Sequence, residues 1–247
     1  MIGMAQRAAA SLGEQVLRHP AAAALVVVPL ALGFGSLAGF SAGRAALPGE
    51  FRAGSYQEAR AQTVAAHLRQ FTGDYVLAAG DSHIEHWFAS TRCGLPVVNA
   101  GVSGATAMSY RRFFSALKLK RPPRAVVLTI GTNDASVRRV GDPETATRRF
   151  AVSLRGLLET IGRRAPLVLL TAVPPPGPGQ DKAFSTEAAA RFSIEAKAAC
   201  AAGLCRFVDP FGPGLNLIDG VHFENYRDVY DGLESQLCEG MQPPPER

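Results

Sequence analysis

Residues 75–87 have the sequence YVLAAGDSHIEHW, the most informative segment of the chain. The apolar run from Tyr75 to Ala79 predicts a buried strand, and the residues from Ile84 to Trp87 predict the start of a helix. Ser82 then lies at a strand-to-helix turn, where its hydroxyl is presented at the strand end and its backbone N–H lies near the positive end of a helix. Taken alone, a serine at this position is also typical of a helix cap.

Strand-like and helix-like segments alternate along the rest of the chain. Further short apolar runs predict buried strands at residues 95–98, 125–130, 167–172 and 206–208. Helical composition is found at residues 55–71, 105–119, 143–164, 185–201 and 224–238. This alternation predicts a three-layer α/β/α fold with a five-stranded parallel sheet, in which reactive groups collect at the carboxyl ends of the strands.

A serine hydroxyl is a poor nucleophile until an aligned base removes its proton. His222 is the best candidate for that base, because Asp219 lies three residues upstream and can fold back within one turn to orient the imidazole. His83 and His86 are nearer to Ser82 in sequence, but they belong to its own helix and are expected to face mostly elsewhere.

Four segments resemble the successive blocks of the SGNH (GDSL-like) hydrolases. They are Gly-Asp-Ser at 80–82, Asn-Ala-Gly-Val-Ser-Gly at 99–104, Gly-Thr-Asn-Asp at 131–134 and Asp-Gly-Val-His at 219–222. All four occur in the family order, and each follows a predicted strand or strand-like run. The resemblance covers about residues 75–223 and implies a flavodoxin-like three-layer hydrolase fold.

The resemblance also implies a role for each matching residue. Ser82 would be the nucleophile, His222 the general base and then the general acid, and Asp219 the residue that orients the imidazole. The oxyanion hole would consist of the backbone N–H groups of Ser82 and Gly104 and the side-chain amide of Asn133. One such donor is worth roughly 3 kcal/mol of transition-state stabilisation. No cofactor and no metal ion are implied.

His83 departs from the family pattern, which usually has leucine at this position. The change would alter the wall of the cleft and leaves the size of the substrate open, and a surface histidine is the alternative interpretation. Asp81 and Asp134 are interpreted as residues that brace their loops. The histidines other than His222 lack partners at metal-ligand spacing, so structural roles are favoured over metal binding.

Residues 21–43 contain no charged side chain, and a helix of about 23 residues is long enough to cross a bilayer core. A cleaved signal segment ending near residues 41–43 and a helix of the soluble domain remain open as alternatives. Either an anchor or a signal places the catalytic domain outside the cytoplasm, tethered in the periplasm or secreted. The predicted organisation is a cytoplasmic segment (1–20), an anchor (21–43), a linker and leading helix (44–72), a hydrolase domain (73–240) and a tail (241–247).

The chain has four cysteines, an even number that two disulfide bridges would use in an oxidising compartment. Cys200 and Cys205 are the easier pair, because a short loop between a helix end and the next apolar run separates them. Cys93 and Cys238 are then left for a second bridge. Buried free thiols remain an alternative.

Composition limits the class of protein. The 247 residues are 47% hydrophobic and 19% charged, which is ordinary for a globular chain and unlike a disordered one. The net charge of +5 comes with scattered arginine pairs and without interleaved aromatic residues, so no nucleic-acid partner is expected. The oligomeric state is not indicated.

These observations together predict a serine esterase that hydrolyses carboxylic esters through an acyl-enzyme. The expected substrate is a small-molecule, lipid or glycan ester, including acetyl groups of an envelope glycan. Two alternatives stay open: an acyltransferase that uses the same acyl-enzyme to O-acylate a glycan, and an inactive membrane-tethered binding protein on the same scaffold. The Pro/Gly-rich segment 174–179 either rims the site or forms a rigid connection.

Overall fold

The structure, a computed structural model, describes residues 53–212 and 214–242. The predicted cytoplasmic segment (1–20), the predicted anchor (21–43) and most of the predicted tail lie outside the described residues. Within the described ranges, no helix is long and apolar enough to cross a membrane.

One sheet forms the centre of the domain. Its strands are β1 (Val76–Gly80), β2 (Thr91–Arg92), β3 (Leu95–Gly101), β4 (Ala125–Thr129), β5 (Val168–Thr171) and β6 (Arg206–Val208). Their order across the sheet is β2-β3-β1-β4-β5-β6. Apart from β2, the strands all run parallel to one another, and these five are the strands that the sequence predicts.

The prediction of a purely parallel, five-stranded sheet was wrong, because β2 adds a sixth strand antiparallel to β3. The two strands are joined by a tight turn in which Cys93 and Gly94 both have positive φ, 52° and 71°. Two consecutive positive φ angles are typical of a hairpin turn whose twist matches that of its strands. Thr91 and Arg92 do not form an apolar run, so the pattern that revealed the other strands misses this one.

The described helices cover both faces of the sheet. The predicted helix over 224–238 is divided by a 3₁₀ turn at Asp231–Leu233, which contains Gly232, a weak helix former. The helices are α1 (Ala53–Gln70), α2 (Ser82–Glu85), α3 (Ala107–Ala116), α4 (Val137–Val140), α5 (Pro143–Gly162), α6 (Thr186–Ala201), α7 (Tyr226–Tyr230) and α8 (Glu234–Met241).

Both faces of the parallel strands are buried, as the continuous apolar runs indicate. In β1, Leu77 and Ala79 pack into a core shared with α1, α3, α5 and α6. Val76 and Ala78 point to the opposite face and pack with α2, α7 and α8. The predicted three-layer α/β/α arrangement is therefore confirmed.

Both predicted disulfide pairs are present. Cys200–Cys205 closes the loop between α6 and β6, and Cys93–Cys238 joins the β2–β3 turn to α8. Cys93 has one of the positive φ angles of that turn, so its bond to α8 fixes a residue in a conformation that non-glycine residues rarely adopt. The second bridge therefore attaches the last helix to the edge of the sheet.

Gly80 ends β1 and sets the close approach of the strands at the carboxyl edge. It lies opposite Gly101 in β3 and Thr129 in β4, so the loops after the three strands start at the same level. Its φ is +143°, and a Cβ atom here would lie 1.9 Å from the carbonyl oxygen of Thr129. Only glycine fits at this position without displacing backbone.

We expect Gly80→Ala to lower the free energy of unfolding by about 3 kcal/mol or more, because both the backbone conformation and the adjacent carbonyl oppose a side chain. Urea denaturation measures this loss. Gly73→Ala is the matched control, since Gly73 is exposed, lies outside the positive-φ region, and a Cβ atom added to it would meet no atom within 4 Å. Equal stability of the two variants would contradict the interpretation.

Candidate active site

Ser82, His222 and Asp219 form one chain of hydrogen bonds at the carboxyl edge of the sheet. The Oγ atom of Ser82 lies 2.9 Å from Nε2 of His222, and Nδ1 of the same ring lies 2.7 Å from Oδ2 of Asp219. Ser82 begins α2 directly after β1, whereas His222 lies 140 residues further along the chain. The structure thus brings together the three residues for which catalytic roles are predicted.

The Asp219 carboxylate is held in place by its own loop. Its Oδ1 atom accepts the backbone N–H groups of Val221 at 2.9 Å and His222 at 2.7 Å. Desolvation raises the pKa of Asp219, but these hydrogen bonds and the His222 ring outweigh it and hold the pKa below its usual range. The ionised carboxylate favours a proton on Nδ1 of His222 and leaves Nε2 free to accept one from Ser82.

The Pro/Gly-rich segment 174–179 and the residue after it brace the loop that carries Asp219. The N–H of Gly177 donates to the carbonyl of Gly220 at 2.7 Å, and the side-chain amide of Gln180 donates to the carbonyl of Asp219 at 2.9 Å. These contacts favour the rigid-connection alternative for this segment, because they fix the loop that orients His222.

The three predicted oxyanion donors follow the carboxyl ends of β1, β3 and β4, with Ser82 at the start of α2 and the other two on loops. Within the described residues, the backbone N–H groups of Ser82 and Gly104 donate to no protein acceptor. Asn133 donates one amide hydrogen to the carbonyl of Ala105 at 3.1 Å, which links its loop to that of Gly104 and leaves its second amide hydrogen available. Two backbone N–H groups and one amide hydrogen are therefore unpaired in the described part of the chain, which an oxyanion hole made from them would require.

His83 is fully buried, which excludes the alternative of a surface histidine. Its ring centroid lies 5.0 Å from that of Phe223 and 5.5 Å from that of His222, because the first turn of α2 packs beneath the His222 loop. Burial lowers the pKa of His83 to about 3, and the nearby His222 contributes to the lowering. His83 is therefore a neutral ring at pH 7.

His86 also faces the site, contrary to expectation, with its ring centroid 4.8 Å from that of His222. Desolvation, followed by the charge of His222, lowers the pKa of His86 below its usual value. The rings of both His83 and His86 lie near that of His222, and in both desolvation lowers the pKa. This effect disfavours additional positive charge beside His222.

Residues 71–226 match the model of the GDSL-like lipase/acylhydrolase family. The chain belongs to this family. The matched range contains every predicted site residue from Ser82 to His222, so the resemblance inferred from the four short segments is confirmed. Membership of the GDSL-like lipase/acylhydrolase family supports ester hydrolysis as the general activity of the domain.

Solved structures share the fold. The lipase/acylhydrolase from Enterococcus faecalis is 21% identical and superposes with a TM-score of 0.56, covering 71% of this chain and 100% of that one. Est24, a carbohydrate acetylesterase from Sinorhizobium meliloti, is 20% identical with a TM-score of 0.56, covering 68% and 99% of the two chains. At these identities the similarity shows the fold alone.

A curated relative matches a shorter region. The uncharacterized lipoprotein YqeF of Bacillus subtilis (strain 168) is 30% identical over 84 residues, which are 34% of this chain and 35% of that protein. The chain therefore matches about a third of the length of this relative.

Glu85 is a residue of this GDSL-like site that the sequence analysis missed. Its Oε2 atom accepts the backbone N–H of Ser103 at 2.6 Å and the hydroxyl of Ser103 at 2.7 Å. Tyr56 and Arg60 of α1 contact the other carboxylate oxygen. Because Ser103 precedes Gly104, Glu85 fixes the loop of one predicted oxyanion donor. A lone glutamate one turn after Ser82 gives little sign of this long-range contact.

We expect Glu85→Ala to lower kcat for p-nitrophenyl acetate by about tenfold with a smaller change in KM, because the Gly104 N–H loses its alignment. Glu85→Gln keeps one acceptor oxygen and should recover part of the rate. Glu58→Ala, at an exposed position of α1, is the matched control. A Glu85→Ala enzyme with wild-type kcat would exclude this positioning role.

Proposed function

We propose that this chain is a serine esterase in which Ser82 attacks the carbonyl carbon of a carboxylic ester and His222 accepts the serine proton. The observation that carries the proposal is the continuous contact from Ser82 Oγ to His222 Nε2 at 2.9 Å and from His222 Nδ1 to Asp219 Oδ2 at 2.7 Å. The low pKa of Asp219 supports it, since the imidazolium formed in the reaction needs a charged partner.

The reaction then follows from the positions of these groups. As the Ser82 oxygen bonds to the carbonyl carbon, the N–H groups of Ser82 and Gly104 and the amide of Asn133 stabilise the oxyanion. The carbon–oxygen bond to the alcohol breaks, and His222 donates its proton to the leaving alkoxide. A water molecule loses a proton to His222 and attacks the acyl-enzyme, which releases the acid and restores the Ser82 hydroxyl.

The substrate that we propose is a carboxylic ester of a small molecule, a lipid or an envelope glycan. Membership of a family of lipases and acylhydrolases supports this range. The fold shared with a carbohydrate acetylesterase makes an acetyl ester the first substrate to test.

We also propose that the domain functions outside the cytoplasm, tethered through residues 21–43. The bridges Cys93–Cys238 and Cys200–Cys205 support this location, because disulfides persist in oxidising compartments. Protease digestion of intact spheroplasts tests it. Digestion of the domain is expected, and full protection would overturn the location.

The proposed mechanism is tested by labelling the purified full chain with a fluorophosphonate probe, which reacts with activated serines. We expect covalent modification on the peptide that contains Ser82, together with hydrolysis of p-nitrophenyl acetate. A folded protein that neither reacts with the probe nor hydrolyses the ester would overturn the proposal.

A further inference from the structure

A cavity of ≈ 320 Å³ lined by three arginines lies at the carboxyl edge of the sheet. Arg138 and Arg139 belong to α4, and Arg149 belongs to the first half of α5. The rings of Phe150 and Phe192, stacked with their centroids 4.3 Å apart, form an apolar wall. The cavity therefore carries several positive charges, and the two aromatic rings behind them are buried.

The three arginines form no close ion pair among the residues that the structure describes, and the nearby charge that acts on Arg139 and Arg149 is that of Asp134. No carboxylate oxygen there forms a salt bridge with any of them, and Arg149 donates instead to the backbone carbonyl of Arg139. The neighbouring Arg148 behaves differently, since its guanidinium pairs with Glu144 at 2.6 Å. The charges that line the cavity are therefore available to a ligand, while the adjacent arginine is already paired.

Asp134 is the acidic residue that lines this cavity. Its Oδ2 atom accepts the backbone N–H of Ala107 at 2.9 Å, so part of the carboxylate is used within the protein. Burial raises the pKa of Asp134 to about 6. Three guanidinium groups against one carboxylate leave the cavity positively charged at neutral pH.

The cavity adjoins the candidate active site through two loops. Thr106 and Asp134 line it, and they directly follow Ala105 and Asn133, which are joined by the 3.1 Å hydrogen bond between the two oxyanion loops. The cavity therefore shares these two loops with the predicted oxyanion donors Gly104 and Asn133.

We propose that this arginine cavity binds an anionic group, a carboxylate or a phosphate, carried by the ester that Ser82 hydrolyses. The inference rests on the proposed serine esterase function and adds a substrate class to it. The planar guanidinium group presents paired N–H donors that match the oxygens of carboxylates and phosphates. An anion also offsets the mutual repulsion of Arg138, Arg139 and Arg149.

Three matched acetate esters test the proposal: an acetylated methyl glucuronoside, an acetylated glucose 6-phosphate and an acetylated methyl glucoside. They carry a carboxylate, a phosphate and no charge. We expect the full chain to release acetate from at least one anionic ester with a kcat/KM about tenfold or more above that of the neutral ester. The faster of the two anionic esters identifies which anion the cavity takes.

The double variant Arg139→Gln/Arg149→Gln is expected to lose most of this preference, bringing the ratio of anionic to neutral kcat/KM close to one. Arg148→Gln, which changes the adjacent paired arginine, should keep it. Titration calorimetry with inorganic phosphate gives a readout independent of turnover, and binding to the wild type that weakens in the double variant supports the cavity.

Each contrary result has a separate meaning. Equal rates on all three esters, unchanged in the double variant, would overturn the anionic cavity and leave the esterase function standing. If p-nitrophenyl acetate and the three acetates all resist hydrolysis, the proposed function fails, and the substrate class assigned to the cavity fails with it.

Discussion

Ser82→Ala is expected to reduce kcat for p-nitrophenyl acetate by about 10⁴-fold or more. The reason is geometric, because the Ser82 hydroxyl is the group that contacts Nε2 of His222 at 2.9 Å. Without that oxygen no acyl-enzyme forms, and the oxyanion donors alone assist only direct attack by water. The same variant should fail to react with a fluorophosphonate probe.

Ser115→Ala is the control for this variant. Ser115 lies on the exposed side of α3, and its hydroxyl donates only to the carbonyl of Arg111 within the same helix. Its removal deletes the same atom far from the site, so activity and thermal unfolding should match those of the wild type. A Ser82→Ala protein that retains a tenth of the wild-type rate would exclude Ser82 as the nucleophile.

Asp219→Asn is expected to reduce kcat by about 10³- to 10⁴-fold with little loss of stability. The asparagine oxygen still accepts the N–H groups of Val221 and His222, so the loop keeps its shape. Its amide group, however, presents hydrogens to Nδ1 of His222. The ring proton then moves to Nε2, and the imidazole no longer accepts a proton from Ser82.

Steady-state hydrolysis and urea denaturation are both measured on each variant, so that a catalytic defect is separated from unfolding. Asp209→Asn is the matched control, because Asp209 is exposed and its carboxylate likewise accepts a backbone N–H, that of Phe211. Comparable rates for the two asparagine variants would rule out the orienting role of Asp219.

The parallel part of the fold was predictable because it depends on local patterns. Residues such as Leu77 and Val76 are buried on opposite faces of one strand, which produces an uninterrupted apolar run. The turns after these runs carry short motifs with fixed chemistry, so Ser82 and His222 were correctly expected to meet. Their catalytic roles stay predictions until activity is measured.

The features that the sequence analysis missed depend on contacts between distant residues. The two-residue strand β2 exists because a hairpin turn pairs it with β3, and its own composition does not predict a strand. The burial of His83 follows from the packing of Phe223 above it. Glu85 acts on Ser103, which lies 18 residues away. No periodicity in a single segment encodes these relations.

The Cys93–Cys238 bridge covalently joins the two parts of the chain that carry Ser82 and His222. Any single cut of the backbone between Cys93 and His222 leaves one fragment with Ser82 and Cys93 and another with His222 and Cys238. The disulfide bond keeps the two fragments in one molecule. A chain cut once in this range therefore keeps Ser82 and His222 covalently linked until the disulfide is reduced.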